Sequence, residues 1–186
     1  MKITDTTLYH GRPADETGRL EKEIRTYDLL DSLKIDYLRL DHEAIYNMEE
    51  CEERGEILGI SICKNVFLTN AQKNRFILLM MPAAKRYKTA VFSKLAESSR
   101  LSFAPEEFME EYLDCTPGSA SVMGLMNDRE NHVELFIDAD VIKADFIGCH
   151  PCINTSSIKL KTSDLLEKYL PAVRHGYKVV ELSSDA

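Results

Sequence analysis

The sequence predicts an α+β fold with a mixed β-sheet, and three observations support this. The 186 residues suffice for one ordinary domain with a packed core and do not require two. Hydrophobic residues make up 44% of the chain and charged residues 29%, a balance typical of globular proteins. Apolar β-type runs cluster in the middle and near the end, with helical segments placed irregularly between them, whereas a βαβ array would alternate the two.

Helical segments are indicated by apolar spacing and by end signals. Apolar residues recur at helical spacing over residues 20–33, and residues 48–58 are acidic and helix-permissive. The four-residue spacing of Tyr87, Val91 and Leu95 places these three side chains on one face of a third helix. Two further helices are predicted: one with Pro105 at its first position and Phe108, Tyr112 and Leu113 on its inner face, and one over residues 164–170 capped by Thr162 or Ser163.

Strands are indicated by alternation and by apolar β-type runs. Residues 65–69 and 75–81 are separated by the polar segment 70–74, which predicts a β-hairpin. Further strands are predicted at residues 37–40, 133–137, 146–147, 157–160 and 177–182. We expect residues 1–20 to form an N-terminal arm and residues 21–186 to form one domain.

The charges are unevenly distributed along the chain. The formal net charge is −8, which counts against a polyanionic partner, but residues 64–100 carry +7 and the rest carries −15. A basic face on an acidic body is compatible with docking one nucleic-acid segment. An ordinary solvated face would look the same, so charge alone leaves both interpretations open.

Several classes of protein are disfavoured by the sequence. The longest apolar stretch, residues 76–84, contains Pro82 and is far shorter than the ~20 residues of a membrane-spanning helix. Residues 1–10 lack the apolar region of a secretory signal, so we expect a cytoplasmic protein. The five cysteines are an odd number in a chain of this size, which predicts free thiols. Walker, dinucleotide-binding, His-Glu-x-x-His and Gly-x-Ser-x-Gly motifs are all missing.

Three features of the sequence could carry chemistry. Lys64 interrupts an apolar strand, where it is either a surface residue or a fixed charge for a phosphate or oxyanion. Residues 116–121, Thr-Pro-Gly-Ser-Ala-Ser, form either an ordinary connection or a loop with free backbone N–H groups. Residues 146–155 contain Cys149, His150 and Cys152, which could serve redox or metal chemistry, although no second Cys-x-x-Cys completes a zinc site.

These features occur in an order that resembles the YbaK/ProX-type aminoacyl-tRNA deacylases, the free-standing relatives of the editing insertion of bacterial prolyl-tRNA synthetases. The resemblance spans about residues 29–182. Its motifs are DHEAIYNMEE (41–50), KNVFL (64–68), RLSFAPE (100–106), TPGS (116–119), LMND (125–128) and GCHP with NT (148–151, 154–155). It implies a mixed, mostly antiparallel, barrel-like sheet surrounded by helices, and hydrolysis of the ester that joins a wrong amino acid to tRNA, commonly alanine on proline tRNA.

The resemblance also implies roles for individual residues. Lys64 matches the family's essential lysine, Gly118 the first glycine of its G-x-x-x-P loop, and His150 the histidine of its His-Pro motif, and these three are the expected catalytic residues. Asn65 and Asn154 match further family positions, and the expected substrate-binding residues are Asn65, Ser119, Ser121, Asn154, Ile45, Asn47 and Val122. The basic window over residues 64–100, and not the resemblance, supplies the expected tRNA-binding residues Lys85, Arg86 and Lys88. No metal or organic cofactor is implied. The implied partners are the acceptor end of a mischarged tRNA and prolyl-tRNA synthetase, without a membrane.

The chain departs from the family pattern at three positions, with Val122 in place of proline, Cys149 in place of an aromatic residue and Asn47 in place of threonine. These departures bear on the amino-acid pocket more than on the reaction. An activated ester needs only a positioned water: backbone N–H groups of residues 118–121 are expected to polarise the ester carbonyl, and Lys64 to bind the terminal phosphate or stabilise the oxyanion. A binding module of the same fold that has lost hydrolysis, and a thiol or metal site at Cys149 and Cys152, are the alternatives.

Overall fold

The computed structural model describes residues 6–44 and 48–183. Its strands are β1 (Leu8–His10), β2 (Tyr37–Asp41), β3 (Cys63–Asn70), β4 (Phe76–Pro82), β5 (Leu101–Phe103), β6 (Val133–Asp138), β7 (Phe146–Cys149), β8 (Ser156–Lys161) and β9 (Tyr177–Val180). Its α-helices are α1 (Glu21–Ser32), α2 (Met48–Leu58), α3 (Thr89–Leu95), α4 (Glu106–Leu113), α5 (Ala139–Lys143), α6 (Thr162–Asp164) and α7 (Leu170–Ala172). A 3₁₀ helix covers Val122–Met126, and a π-helical segment, Leu165–Tyr169, joins α6 to α7.

The strands form two sheets, and the α+β prediction with a mixed sheet is confirmed. The four-stranded sheet has the order β1-β2-β8-β7 and is antiparallel throughout. The five-stranded sheet has the order β5-β3-β4-β6-β9, with antiparallel pairs from β5 to β4 and parallel pairs from β4 to β9. The predicted hairpin is the β3–β4 pair, in which Val66 lies opposite Leu79.

Strand β4 crosses the centre of the five-stranded sheet and is buried on both faces. Phe76, Leu78 and Met80 belong to the larger core cluster, which also contains residues of α1 and of the four-stranded sheet. Ile77 and Leu79, which point the other way, belong to a smaller cluster on the opposite face. Successive strand side chains alternate between faces, so the unbroken apolar run of β4 fills two cores at once.

The predicted face of α3 is wrong. Val91 and Leu95 are 38% and 42% exposed, and Tyr87 precedes the helix. The α3 side chain that is completely buried in the smaller core is Phe92. A helix of seven residues makes about two turns, so apolar spacing is a weak guide to its buried side. Phe92 instead packs edge-to-face on Phe136 of β6, with 5.5 Å between ring centroids.

Other local predictions differ from the structure at element ends. Strands β1 and β5 were not predicted, because three residues are too few for a periodic pattern. Pro105 is the N-cap of α4 and not its first residue. The cap of α6 is Lys161, and the Thr162 hydroxyl donates to the Ala144 carbonyl.

The segment before α1 contributes β1, whose Tyr9 lies opposite Arg39 of β2. Arg19 pairs with Glu23 of α1 and with Asp41 of β2, at 2.6 Å in both cases. The domain boundary at residue 20 stays a prediction. Across residues 6–44 and 48–183, no helix combines the length and the apolar character that crossing a membrane requires.

Candidate active site

A cleft of about 370 Å³ lies where the beginning of β3 meets the end of β7. The strand segments that line it are residues 62–67, from the five-stranded sheet, and residues 148–150 with Ser157, from the other sheet. The rest is lined by Ala83, by Phe103, Ala104, Glu106 and Met109, and by the loop residues Pro117, Gly118 and Ala120. The volume lies within the range of small-molecule sites, roughly 300–1,000 Å³.

The Lys64 side chain lies in this cleft and is held by main-chain carbonyl groups. Its ammonium donates to the carbonyl of Ala83, at 3.2 Å, and to the carbonyl of Lys85. Both acceptors lie just after β4, the strand that pairs with β3. Burial lowers the pKa of Lys64 from its ordinary value. An ammonium group has three donors, so two fixed bonds leave one N–H for a substrate.

His150 follows β7 and presents a neutral imidazole to the cleft. Its Nδ1 lies 2.8 Å from the Ser156 carbonyl oxygen, and because a carbonyl only accepts, Nδ1 carries the proton. Burial lowers the pKa of His150, and the Ser156 carbonyl offsets only part of that effect. Nε2 is therefore an acceptor at neutral pH, able to receive a proton from a water or a hydroxyl.

A second histidine lies beside the first. The His42 ring is 6.1 Å from the His150 ring, and its Nδ1 donates to the Glu43 carbonyl at 2.8 Å. Its Nε2 then accepts the Ser157 hydroxyl at 2.8 Å, which fixes that hydroxyl on the wall of the cleft. Burial lowers the pKa of His42 to about 4, so both imidazoles are neutral at pH 7.

The serine side chains of the loop over residues 116–121 stabilise it, one within the loop and one by a bond to His150. Ser119 is buried, accepts from the Thr116 amide at 3.0 Å and donates to the Thr116 carbonyl at 2.9 Å. Ser121 is also buried, and its hydroxyl donates to the His150 carbonyl at 2.5 Å. Gly118, at the tip, has a φ of +89°, which L residues rarely adopt, and it lines the cleft.

The predicted residues therefore fall into two groups. The cleft brings together Lys64, Asn65, Gly118 and His150, although they are separated by as many as 86 positions in sequence. Ser119 and Ser121 shape the loop with their hydroxyl groups and are not among the cleft-lining residues. Val122 is completely buried in the larger core cluster, so its side chain does not line the amino-acid pocket.

The remaining predicted residues lie elsewhere. Asn154 lies in the turn between β7 and β8 and does not line the cleft, and Ile45 and Asn47 lie outside the described residues. Arg86 and Lys88 are exposed between β4 and α3. The Lys85 ammonium is instead paired with Asp138 and Asp140, at 2.8 and 2.7 Å, and its side chain is only 11% exposed, so it is not available on the surface for tRNA.

Two cysteines line the cleft as protonated thiols. Burial raises the pKa of Cys63 to about 12 and raises the pKa of Cys149 as well, so neither is a thiolate nucleophile at neutral pH. Cys152 is buried away from the cleft, 3.7 Å from the Thr26 hydroxyl of α1. Within the described residues, no group of three or more His, Cys, Asp or Glu side chains is arranged to hold a metal ion.

The sequence analysis assigned no role to three residues of the site. His42 was quoted within a family motif but was given no role, and Ser157 was treated as an ordinary strand residue. Phe103 is 70% exposed at the rim of the cleft, where its ring lies 5.9 Å from that of Tyr87. The sequence carries no signal for this exposure, because the three-residue strand β5 is too short for a periodic pattern.

The fold and the cleft define a class of protein. The chain is an α+β domain whose cleft combines a cationic donor, a neutral imidazole and a glycine loop. Groups of these kinds can polarise a carbonyl and accept a proton, which is the chemistry that hydrolysis of an activated ester requires.

Comparison with known proteins agrees with this class. A family model for the aminoacyl-tRNA editing domain matches residues 42–168. The prolyl-tRNA editing protein ProX of Acetoanaerobium sticklandii is 31% identical over 154 residues, which span 82% of this chain and 93% of that protein. Prolyl-tRNA synthetase associated domain-containing protein 1 of Danio rerio is 25% identical over 158 residues, 84% of each chain.

A solved structure, described as that of a candidate trans-editing enzyme for prolyl-tRNA synthetase, shares the fold. Its TM-score is 0.63 at 13% identity, with 88% of this chain and 98% of that chain covered. The chain belongs to the aminoacyl-tRNA editing domain family. It is a hydrolase of the aminoacyl-tRNA ester bond, and the resemblance seen in the sequence motifs is confirmed.

Proposed function

We propose that this protein is a trans-editing deacylase that removes alanine from mischarged proline tRNA through attack by a positioned water. The observation that carries the proposal is the convergence of Lys64, Gly118 and His150 on one cleft. The relatives named for prolyl-tRNA editing support proline tRNA as the substrate. Prolyl-tRNA synthetase is the proposed partner, and the cytoplasm is the proposed compartment.

The ester carbonyl is proposed to lie between the tip of the 116–121 loop and the Lys64 ammonium. Two of the Lys64 donors are occupied by main-chain carbonyls, so the third stabilises the oxyanion or binds the terminal phosphate. The positive φ of Gly118 supports an exposed main chain at the loop tip, where backbone N–H groups polarise the ester. His150 Nε2 then accepts a proton from the attacking water or orients it through the ribose hydroxyl.

The α-ammonium group of the amino acid is proposed to bind Asn65. In the part of the chain that the structure describes, Asn65 Oδ1 is buried and has no hydrogen-bond partner, although Asn65 lines the cleft. A buried acceptor without a donor is costly, and an incoming ammonium group removes that cost. Asn65 would thus recognise the α-ammonium group, which aminoacyl esters have in common whatever their side chain.

Discrimination between amino acids is proposed to depend on size. The cleft is lined by Ala83, Ala104 and Ala120, and Gly148 adds no side chain, so this part of the wall is apolar and suits a small amino-acid side chain. One methylene group is worth only about 1–3 kcal/mol in such a pocket, so we expect residual activity on other small residues. The proposed role of Val122 in the pocket is withdrawn because its side chain is in the core.

The tRNA is proposed to approach the cleft over Phe103. The exposed ring at the rim offers a flat apolar surface on which the terminal adenine can stack. Arg86 and Lys88, both exposed, are the proposed acceptor-stem contacts, whereas Lys85 is excluded by its pairing with acidic side chains. Asn154 remains a proposed substrate residue only through the family resemblance.

The proposal is tested by single-turnover deacylation of proline tRNA charged with alanine, compared with its proline-, cysteine- and serine-charged forms. Lys64→Ala is expected to slow the reaction by at least ~100-fold, as loss of one oxyanion donor does. Loss of the alanine ester that depends on Lys64 would support the proposal. A Lys64→Ala rate within a few-fold of the parent would remove Lys64 from the mechanism. Protection of every ester would instead favour a binding module.

A further inference from the structure

A buried carboxylate on β6 is linked to the cleft lysine through a second lysine. Asp138 is completely buried, and its two oxygens lie 2.8 and 3.1 Å from the Lys85 ammonium. The main-chain carbonyl of Lys85 in turn accepts from the Lys64 ammonium. One residue therefore pairs with Asp138 through its side chain and with Lys64 through its backbone.

The Asp138 carboxylate is itself held in place from two further sides. It accepts the Asp140 amide at 2.9 Å, as the N-cap of α5, and the Leu182 amide at 3.1 Å, just beyond β9. Burial alone would lower the pKa of Lys85, but the hydrogen bonds to Asp138 and Asp140 raise it, so the Lys85 ammonium stays charged at neutral pH. Asp138 thus holds the main chain at Lys85 in a fixed position.

The segment anchored in this way is the one that orients Lys64. Residues 83–88 connect β4 to α3 without regular helix or strand, and two of their carbonyls, those of Ala83 and Lys85, bind the Lys64 ammonium. Backbone bonds hold the start of the segment, where the Ala83 amide donates to Ile62 at 3.0 Å. The Lys85 side chain fastens the later part to β6.

We propose that Asp138 is a positioning residue for deacylation, because it holds Lys85 and thereby the carbonyl groups that aim the Lys64 ammonium into the cleft. The inference rests on the proposed role of Lys64. Lys85 accordingly serves the reaction from inside the protein and not as a tRNA contact. Small displacements of a positioned group are expensive in catalysis, since about 1 Å costs up to 100-fold in rate.

The test is Asp138→Asn, assayed by deacylation of alanine-charged proline tRNA. The amide keeps the shape and one acceptor oxygen but loses the charge that holds Lys85. We expect kcat to fall by about 10- to 100-fold while KM stays within about threefold, because binding groups are untouched. Lys85→Gln removes the charge that pairs with Asp138 and shortens the side chain, so it is expected to lower kcat similarly at nearly constant KM. It replaces Asp138→Asn if that variant does not fold.

A matched control and a double variant separate positioning from general damage. Glu134 is also on β6, is partly buried and pairs with Arg75 at 2.5 Å, but it does not line the cleft. Glu134→Gln is therefore expected to leave kcat within about twofold. In the Lys64→Ala background, adding Asp138→Asn should change the rate by less than about twofold, because the group it positions is gone.

Each contrary result has a distinct meaning. If Asp138→Asn slows the Lys64→Ala protein by the same factor as the parent, Asp138 acts independently of Lys64 and the positioning role is overturned. A folded Asp138→Asn protein with full kcat would overturn it too. If Lys64→Ala alone keeps full activity, it is the proposed function of Lys64 that fails.

Discussion

Replacing Ser121 with alanine should destabilise the protein and slow it without weakening substrate binding. The Ser121 hydroxyl is completely buried and has two partners: it donates to the His150 carbonyl at 2.5 Å and accepts the Met123 amide at 3.1 Å. It therefore joins the glycine loop to the residue that follows β7 and caps the 3₁₀ helix. Alanine would remove both bonds and leave both backbone groups unpaired.

The magnitude follows from these two bonds. Loss of a helix N-cap costs about 0.5–2 kcal/mol, and an unsatisfied buried carbonyl costs about 1–3 kcal/mol. Together they predict a loss of about 3 kcal/mol in the free energy of unfolding, a substantial part of the roughly 5–15 kcal/mol of a typical domain. For a chain of this length that loss corresponds to a fall in Tm of about 6–12 °C.

Urea denaturation measures the loss, and steady-state deacylation measures its effect on the reaction. Ser102→Ala is the matched control, because Ser102 is exposed on β5 and its loss should change stability by less than about 0.5 kcal/mol. We expect kcat of Ser121→Ala to fall with KM nearly unchanged, because the link between Gly118 and His150 is loosened. Unchanged stability with a raised KM would refute this reasoning and return Ser121 to the substrate-binding role predicted from the sequence.

Three further outcomes follow from the site. Phe103→Ala should raise KM about fivefold or more with little change in kcat, since one base stack is worth about 1–3 kcal/mol, and an unchanged KM would remove the adenine platform. Arg86→Gln and Lys88→Gln should each weaken tRNA binding and make the slope of log K against log salt concentration less steep by about 1, whereas an unaltered slope would exclude a phosphate contact. Because the lowered pKa of His150 keeps its imidazole neutral, deacylation should be maintained at pH 6.5 and fall only as pH drops through that lower pKa, and a rate already halved at pH 6.5 would contradict the assignment.

Much of the fold was accessible from local patterns. The β3–β4 hairpin follows from two apolar β-type runs around a polar turn, and α1 from a long amphipathic repeat, because each pattern extends over enough residues to be read. Lys64 is a candidate from the sequence because a charged side chain is unusual at the start of an apolar strand. The motifs around Gly118 and His150 are equally local, so the sequence alone predicts the residues at the centre of the site.

Other features depend on partners far away in sequence. Lys85 was expected on the surface, but Asp138, 53 positions later, draws its ammonium inward. In the short helix α3, Phe92 is buried because Phe136 of β6 is there to receive its ring, which no spacing rule reports. The same holds for Ser121, whose hydroxyl is directed to a carbonyl that another loop supplies.

The amino-acid sequence by itself determined the strand and helix segments with long periodic patterns, the family and the residues at the centre of the cleft. These depend on spacing and residue type within a few positions. Only the tertiary structure decided which charged and polar groups face the cleft and which are paired with other groups inside the protein. The reason is that burial and hydrogen-bond pairing are set by whichever element packs opposite, and that partner is chosen by the fold as a whole.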